Sequence, residues 1–130
     1  MGEAGIVIVT YESEAEIGAC LDRAQPTGAE IVVVDNASTD RTCQEAMRRG
    51  VRLITNPQNR GFAAAVNQGI RALDRPFVLL LNPDARLETS LEALVDVYKR
   101  QHPWAAHSRP KWLCMSPGRP LLNWASPCRF

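Results

Sequence analysis

Two aspartates stand where chemistry is easiest to build, each directly after a run of apolar residues. Asp84 closes Asn82-Pro83-Asp84 after Phe77–Leu81, and Asp35 follows Ile31–Val34 and leads into Asn36-Ala37-Ser38. A carboxylate held at a rigid strand tip suits a hard divalent cation, which prefers oxygen ligands. Pro83 has no N–H to continue a ladder, so the strand must stop there. Thr10-Tyr11-Glu12 closes the first apolar run, and Asn59-Arg60-Gly61 precedes a helical apolar pattern that carries Asn67. A glycine at a helix start leaves N–H groups open beside the positive end of the helix, which suits phosphate. Cation and helix end together could hold a diphosphate. Each member also has a plainer reading. Asp84 could make an Asx-turn beside the proline. Asp35 could cap a helix. Arg60 could be a solvated loop residue, and Asn67 an exposed helical one. The joint pattern is more specific than any of its parts.

The elements that must position these residues follow from periodicity. Gly5–Thr10, Glu30–Val34, Val51–Thr55 and Phe77–Leu81 are short apolar runs suited to strands buried on both faces. Between them lie helical patterns. Ser13 with Glu16 forms a capping box before Ile17, Cys20, Leu21 and Ala24. Thr39-Asp40 opens a helix with Cys43, Ala46 and Met47 on its apolar face and Gly50 at its end. Phe62, Ala65, Val66, Gly69, Ile70 and Leu73 form the stripe of a third. Thr89 with Glu92 starts a fourth, with Leu91, Leu94, Val95 and Tyr98. Alternation of this kind predicts an α/β fold, a Rossmann-like and mostly parallel sheet with helices on both faces. Parallel strands share a direction, so every polar strand end falls on one edge. Asp35 and Asp84 are then expected at the ends of neighbouring strands.

Composition sets the bounds. A length of 130 residues suits one domain, and a net charge of +1 gives no electrostatic case for nucleic acid. The cysteines Cys20, Cys43, Cys114 and Cys128 form no Cys-x-x-Cys pair. That argues against zinc or a disulfide framework and for a reducing compartment. Cys20 and Cys43 fall on apolar helix faces, as small core residues do. No stretch approaches the ~20 apolar residues of a membrane span. The expected location is cytoplasmic, in solution or at the inner face of the membrane. The pattern divides the chain into an α/β domain, residues 1–101, and a tail, residues 102–130. The tail holds all three tryptophans and five of the nine prolines. It has no clear period and reads as an irregular or truncated continuation. An open sheet edge and this tail also suggest a homo-oligomer.

Four stretches carry a resemblance: Ile6-Val-Ile-Val-Thr-Tyr11, Ile31-Val-Val-Val-Asp-Asn-Ala-Ser-Thr-Asp40, Asn59-Arg-Gly-Phe-Ala-Ala-Ala-Val-Asn67 and Leu79-Leu-Leu-Asn-Pro-Asp84. Together they resemble the N-terminal half of a family 2 glycosyltransferase of the GT-A fold, nearest its bacterial rhamnosyltransferase-like branch. The resemblance covers about residues 5–100. It implies a nucleoside-diphosphate sugar donor, dTDP-rhamnose or a UDP-sugar, and a glycan or lipid-linked acceptor. Thr10, Tyr11 and Glu12 would line the nucleoside pocket, with Asp35 bonded to the base and Asn36 and Ser38 beside it. Asn59, Arg60, Gly61 and Asn67 would lie near the diphosphate or sugar. Asp84 matches the last acid of the family's Asp-x-Asp motif and would hold Mg²⁺ or Mn²⁺, with Asn82 and Pro83 beside the donor. The first position of that motif is Asn82 here, a neutral oxygen, so weaker metal binding is expected.

The implied reaction is inverting sugar transfer, with metal on the diphosphate leaving group. In the family the general base follows the metal motif. The base is not identified here: Glu88 and Glu92 follow Asp84 closely and serve the next helix, and His107-Ser-Arg109 interrupts an expected apolar strand. The donor half is therefore expected to bind its nucleotide and to transfer slowly or not at all. The alternative is a non-catalytic nucleotide-binding or interaction module. A NAD-type domain is disfavoured, because the turn from Thr10 to Ser13 lacks Gly-x-Gly-x-x-Gly.

Overall fold

In a computed structural model, the structure describes residues 4–73, 75–85, 87, 93, 95, 96, 100, 111–116 and 119–121, the last two segments as backbone. The elements run β1 (Ala4–Thr10), α1 (Glu14–Ala24), β2 (Glu30–Asp35), α2 (Thr42–Arg48), β3 (Arg52–Thr55), α3 (Phe62–Leu73), β4 (Phe77–Leu81), β5 (Lys111–Ser116) and β6 (Arg119–Leu121). One six-stranded sheet has the order β3-β2-β1-β4-β5-β6. All pairings are parallel except β5 with β6. This is the mostly parallel α/β sheet that the alternation predicts.

The strands are apolar throughout because both faces are covered. Ile6, Ile8, Ile31, Val33, Leu79 and Leu81 pack with Ile17, Cys20, Leu21 and Ala24 of α1 and Ala46 of α2. Val7, Val9, Val32, Val34, Val78 and Leu80 face the other way, onto Ala65, Val66 and Leu73 of α3. Gly69 lies at the closest approach of α3, where an added Cβ would sit 2.6 Å from Val7 Cγ1.

Several expectations change. Asp35 and Asp84 do not end neighbouring strands, because β1 lies between β2 and β4. Pairing order is a long-range property that strand-like runs do not encode. Met47 and Phe62 are exposed, not core. Cys20 is buried as expected, whereas Cys43 is only half-buried. The Ser13 hydroxyl makes no helix-capping bond. The α1 end is held in trans instead, with Glu14 N donating to Asp40 Oδ2 and Ser13 N to Thr42 Oγ1. After residue 101, where the sequence shows no period, β5 extends the sheet beside β4. The Thr89–Glu92 capping box, Leu91, Leu94, Tyr98 and His107–Arg109 lie outside the described residues.

Candidate functional site

The chain runs outward from β1 to β2 and β3, then crosses back to β4 on the other side of β1. That reversal opens a crevice beyond the carboxyl ends of β1 and β4, where open α/β sheets bind ligands. A cleft of about 350 Å³ lies there, lined by Val9, Thr10, Tyr11, Ser13, Glu16, Asn36, Asn59, Phe62, Asn82, Pro83 and Asp84. Seven of these are expected site residues: Thr10, Tyr11, Asn36, Asn59, Asn82, Pro83 and Asp84. The cleft wall does not include Glu12, Asp35, Ser38, Arg60, Gly61 or Asn67.

Asp84 sits on the turn that ends β4, where Ala85 N donates to the Asn82 carbonyl at 3.0 Å. The Cys20 thiol of α1 donates to the same carbonyl at 3.6 Å and ties the turn to the core. Asp84 is exposed, and among the described residues its carboxylate has no hydrogen-bond or ion-pair partner. The Asx-turn reading therefore has no bond to support it. Tyr11 and Phe62 present aromatic surface to the cleft, 57% and 45% exposed. The sequence reading missed Phe62 and Glu16. Phe62 is the first residue of α3, whose stripe is buried further along at Ala65, Val66, Gly69 and Leu73.

Asp35 is placed beneath the site rather than in it. It is 1% exposed. Its Oδ1 accepts from Thr10 Oγ1 at 2.7 Å and Ser38 Oγ at 2.6 Å, and its Oδ2 accepts from Ser38 N at 2.9 Å. Ser38 Oγ in turn accepts from Glu12 N, and Glu12 Oε1 accepts from Thr39 N and Thr39 Oγ1. The loop after β1 is thus laced to the loop after β2. Glu12 and Ala37 adopt positive φ, 50° and 66°, at the two ends of this lacing. Non-glycine residues in that region are uncommon and gather at functional sites. The Cys43 thiol is pushed up to about 11, first by burial and then by the carboxylates of Asp35 and Asp40. It stays protonated and is no nucleophile at neutral pH.

Asn36 joins the third wall. Its Nδ2 donates to Gly61 O at 3.2 Å, and its Oδ1 accepts from Arg60 N at 3.4 Å. Gly61 N donates to Asn59 Oδ1 at 2.8 Å, and Gly61 has φ +85°, a conformation that disfavours any side chain there. Exposed oxygen donors of Asp84 and Glu16 with the Asn82 amide suit Mg²⁺ or Mn²⁺. Among the described residues there is no group of three or more His, Cys, Asp or Glu that could hold a metal ion. None of the described helices is long and apolar enough to cross a membrane.

The family model for Glycosyl transferase family 2 matches residues 5–123. The low-salt glycan biosynthesis hexosyltransferase Agl10 of Haloferax volcanii is 35% identical over 102 residues, covering 75% of this chain and 32% of that protein. An N-acetylglucosaminyl-diphospho-decaprenol L-rhamnosyltransferase of Mycobacterium tuberculosis is 31% identical over 112 residues, covering 73% of this chain and 36% of that protein. This chain therefore spans about a third of the length of these relatives. A glucosyl-3-phosphoglycerate synthase of Mycobacterium tuberculosis, crystallised with Mn²⁺, UDP and glucosyl-3-phosphoglycerate, shares the fold. Its TM-score is 0.57 at 23% identity, covering 62% of this chain and 33% of that one. With the sheet order, the cleft at its reversal and a match running through the four strand-end motifs, this chain belongs to glycosyl transferase family 2.

Proposed function

We propose that the cleft binds the nucleoside diphosphate of a sugar donor, and that the chain is the donor-binding half of an enzyme that transfers the sugar with inversion to an acceptor hydroxyl. The observation that carries this reading is the exposed Asp84 carboxylate, without a partner among the described residues, in a cleft walled by Tyr11, Asn36, Asn59 and Asn82. Tyr11 offers an exposed ring face against which a nucleobase can stack. Asp35 does not take the base in this reading. It holds the Ser38 loop that shapes the base's side of the cleft. Asn59 and the Gly61 turn lie on the diphosphate side, where α3 begins. Asp84, with the Asn82 amide, would hold Mg²⁺ or Mn²⁺, whose charge stabilises a departing diphosphate when bound. The acceptor oxygen bonds to the anomeric carbon as the bond from that carbon to the diphosphate breaks. The diphosphate keeps the electron pair, and the hydroxyl proton passes to a base.

Asn82 removes one negative charge from the metal position, and the L-rhamnosyltransferase relative supports a rhamnose donor, carried on dTDP, with a UDP-sugar as the alternative. The same relative supports a lipid-linked glycan acceptor. Calorimetric titration with dTDP, UDP and GDP, with and without Mg²⁺ or Mn²⁺, tests the reading. Metal-enhanced binding of dTDP is the expected result, and no binding of any of the three would overturn it.

A further inference from the structure

The Asn36 side chain does not stand alone. Asn56, the residue after β3, is buried and donates Nδ2 to Asn36 Oδ1 at 3.0 Å and to Gln68 Oε1 at 2.8 Å. Gln68, in the middle of α3, donates Nε2 back to Asn56 Oδ1 at 2.9 Å. Asn56 N also donates to Asp35 O, and Asn36 N to Thr10 O. The bonds form a closed circuit. It leaves α3 at Gln68, passes through Asn56 and Asn36, and returns through Arg60 N and Gly61 O to the turn that opens α3.

Every amide in the circuit has a fixed sense. Asn56 spends both N–H groups and presents its oxygen to Gln68. Asn36 must then present its oxygen to Asn56, which leaves its N–H for the Gly61 carbonyl. A buried amide left half-satisfied is costly, so the circuit resists any member turning over. The circuit reaches the cleft at Asn36, with Asn59 beside it accepting from Gly61 N, whereas neither Asn56 nor Gln68 lines the cleft.

We propose that Asn56 and Gln68 are positioning residues for donor binding. They fix the rotamer and sense of the Asn36 amide and so hold the Asn59–Gly61 turn in the shape that receives the diphosphate. This rests on the reading of the cleft as a nucleoside-diphosphate site.

The test compares Gln68→Met, which keeps length without hydrogen bonds, with wild type by titration of dTDP and of thymidine in Mg²⁺. Loss of the circuit should weaken dTDP about tenfold and leave thymidine within about twofold. In an Asn36→Ala background the same change should cost less than about twofold, because Gln68 then has nothing to act through. Gln68→Asn keeps an amide but withdraws it by one methylene, and should reproduce the loss if Gln68→Met proves poorly folded. Equal dTDP affinity in folded Gln68→Met or Gln68→Asn and wild type would overturn the proposal. So would equal loss for dTDP and thymidine, or full additivity with Asn36→Ala. A wild-type protein that binds no nucleoside diphosphate would instead overturn the underlying reading of the cleft.

Discussion

Asp84→Asn separates metal holding from fold support at one atom pair. The substitution is isosteric, and asparagine makes an Asx-turn as readily as aspartate. Asp84 is exposed, and its carboxylate has no partner among the described residues. Surface changes of this kind stay within about 0.5 kcal/mol of wild type, so the melting temperature should hardly move. The turn itself persists, because Ala85 N bonds to the Asn82 carbonyl and not to the Asp84 side chain. Binding should change far more. Two unit charges 4 Å apart interact by about 1 kcal/mol in bulk water, so a divalent cation loses at least about 2 kcal/mol with the carboxylate. That corresponds to roughly thirtyfold in affinity, since 1.4 kcal/mol is tenfold. Partial exclusion of water from the cleft would enlarge the figure. The assay is titration of dTDP at fixed Mg²⁺, repeated without metal. Wild type should show metal-dependent affinity, and the variant should bind with or without Mg²⁺ about as wild type does without it. Retained metal dependence would refute the assignment of Asp84. A sharp fall in melting temperature with unchanged binding would show that Asp84 supports the turn instead.

Gly69→Ala sets helix propensity against packing: alanine gains up to about 1 kcal/mol within a helix, while overpacking of a core costs about 1–3 kcal/mol. The close approach to Val7 and Val34 makes packing win, so denaturant titration should show a net loss of about 1 kcal/mol, and a gain in stability would refute the geometry. Burial would raise the Asp40 pKa, but the bonds from Thr42 Oγ1, Thr42 N and Glu14 N outweigh it and hold it below the ordinary value. A depressed carboxylate contributes stability above its unfolded pKa, ~4, and loses it as pH falls through the folded value. Acid unfolding curves should therefore be less steep in Asp40→Asn than in wild type, and identical curves would count against the trans cap. Cys43, with a pKa of about 11, should react with iodoacetamide at pH 8 far more slowly than a free thiol, as mass spectrometry can follow. Asp35→Asn should speed that reaction by removing one cause of the raised value.

Much of this fold is legible in the sequence because it depends on local pattern. Phe77–Leu81 reads as a strand and is β4 with the same bounds, since five apolar residues before Asn-Pro admit little else. The stripe of Ala65, Val66, Gly69 and Leu73 is buried as its spacing predicts. Illegible features depend on partners distant in sequence. Ser13 and Glu16 have the spacing of a capping box, yet Asp40 and Thr42 reach the α1 terminus from another loop. Met47 has the right spacing for a core face, but α2 is only seven residues long and buries Thr42 and Ala46. Glu12 and Ala37 take positive φ without a glycine to announce it. The separation of Asp35 from Asp84 by β1 follows from strand order, which no single run contains.

The polar residues make the same point about the site. An asparagine at a strand end has one sequence signature whether it binds a ligand, caps a turn or links two loops. Asn59, Asn36 and Asn56 all lie in polar stretches after apolar runs. Asn59 is exposed and caps Gly61 N. Asn36 is buried, reaches the cleft and grips the Gly61 turn. Asn56 is buried, does not line the cleft, and among the described residues its side chain bonds to Asn36 and Gln68. What sorts them is the direction of each amide, and that direction is settled across three loops and a helix at once. Asp35 follows the same logic. Its place at a strand tip marks it as a ligand-binding acid, yet two hydroxyls and one backbone N–H turn it into the anchor of a loop. Asp84 has the same sequence signature and no such partners among the described residues, and that difference is why the proposed cation is placed on it and not on Asp35.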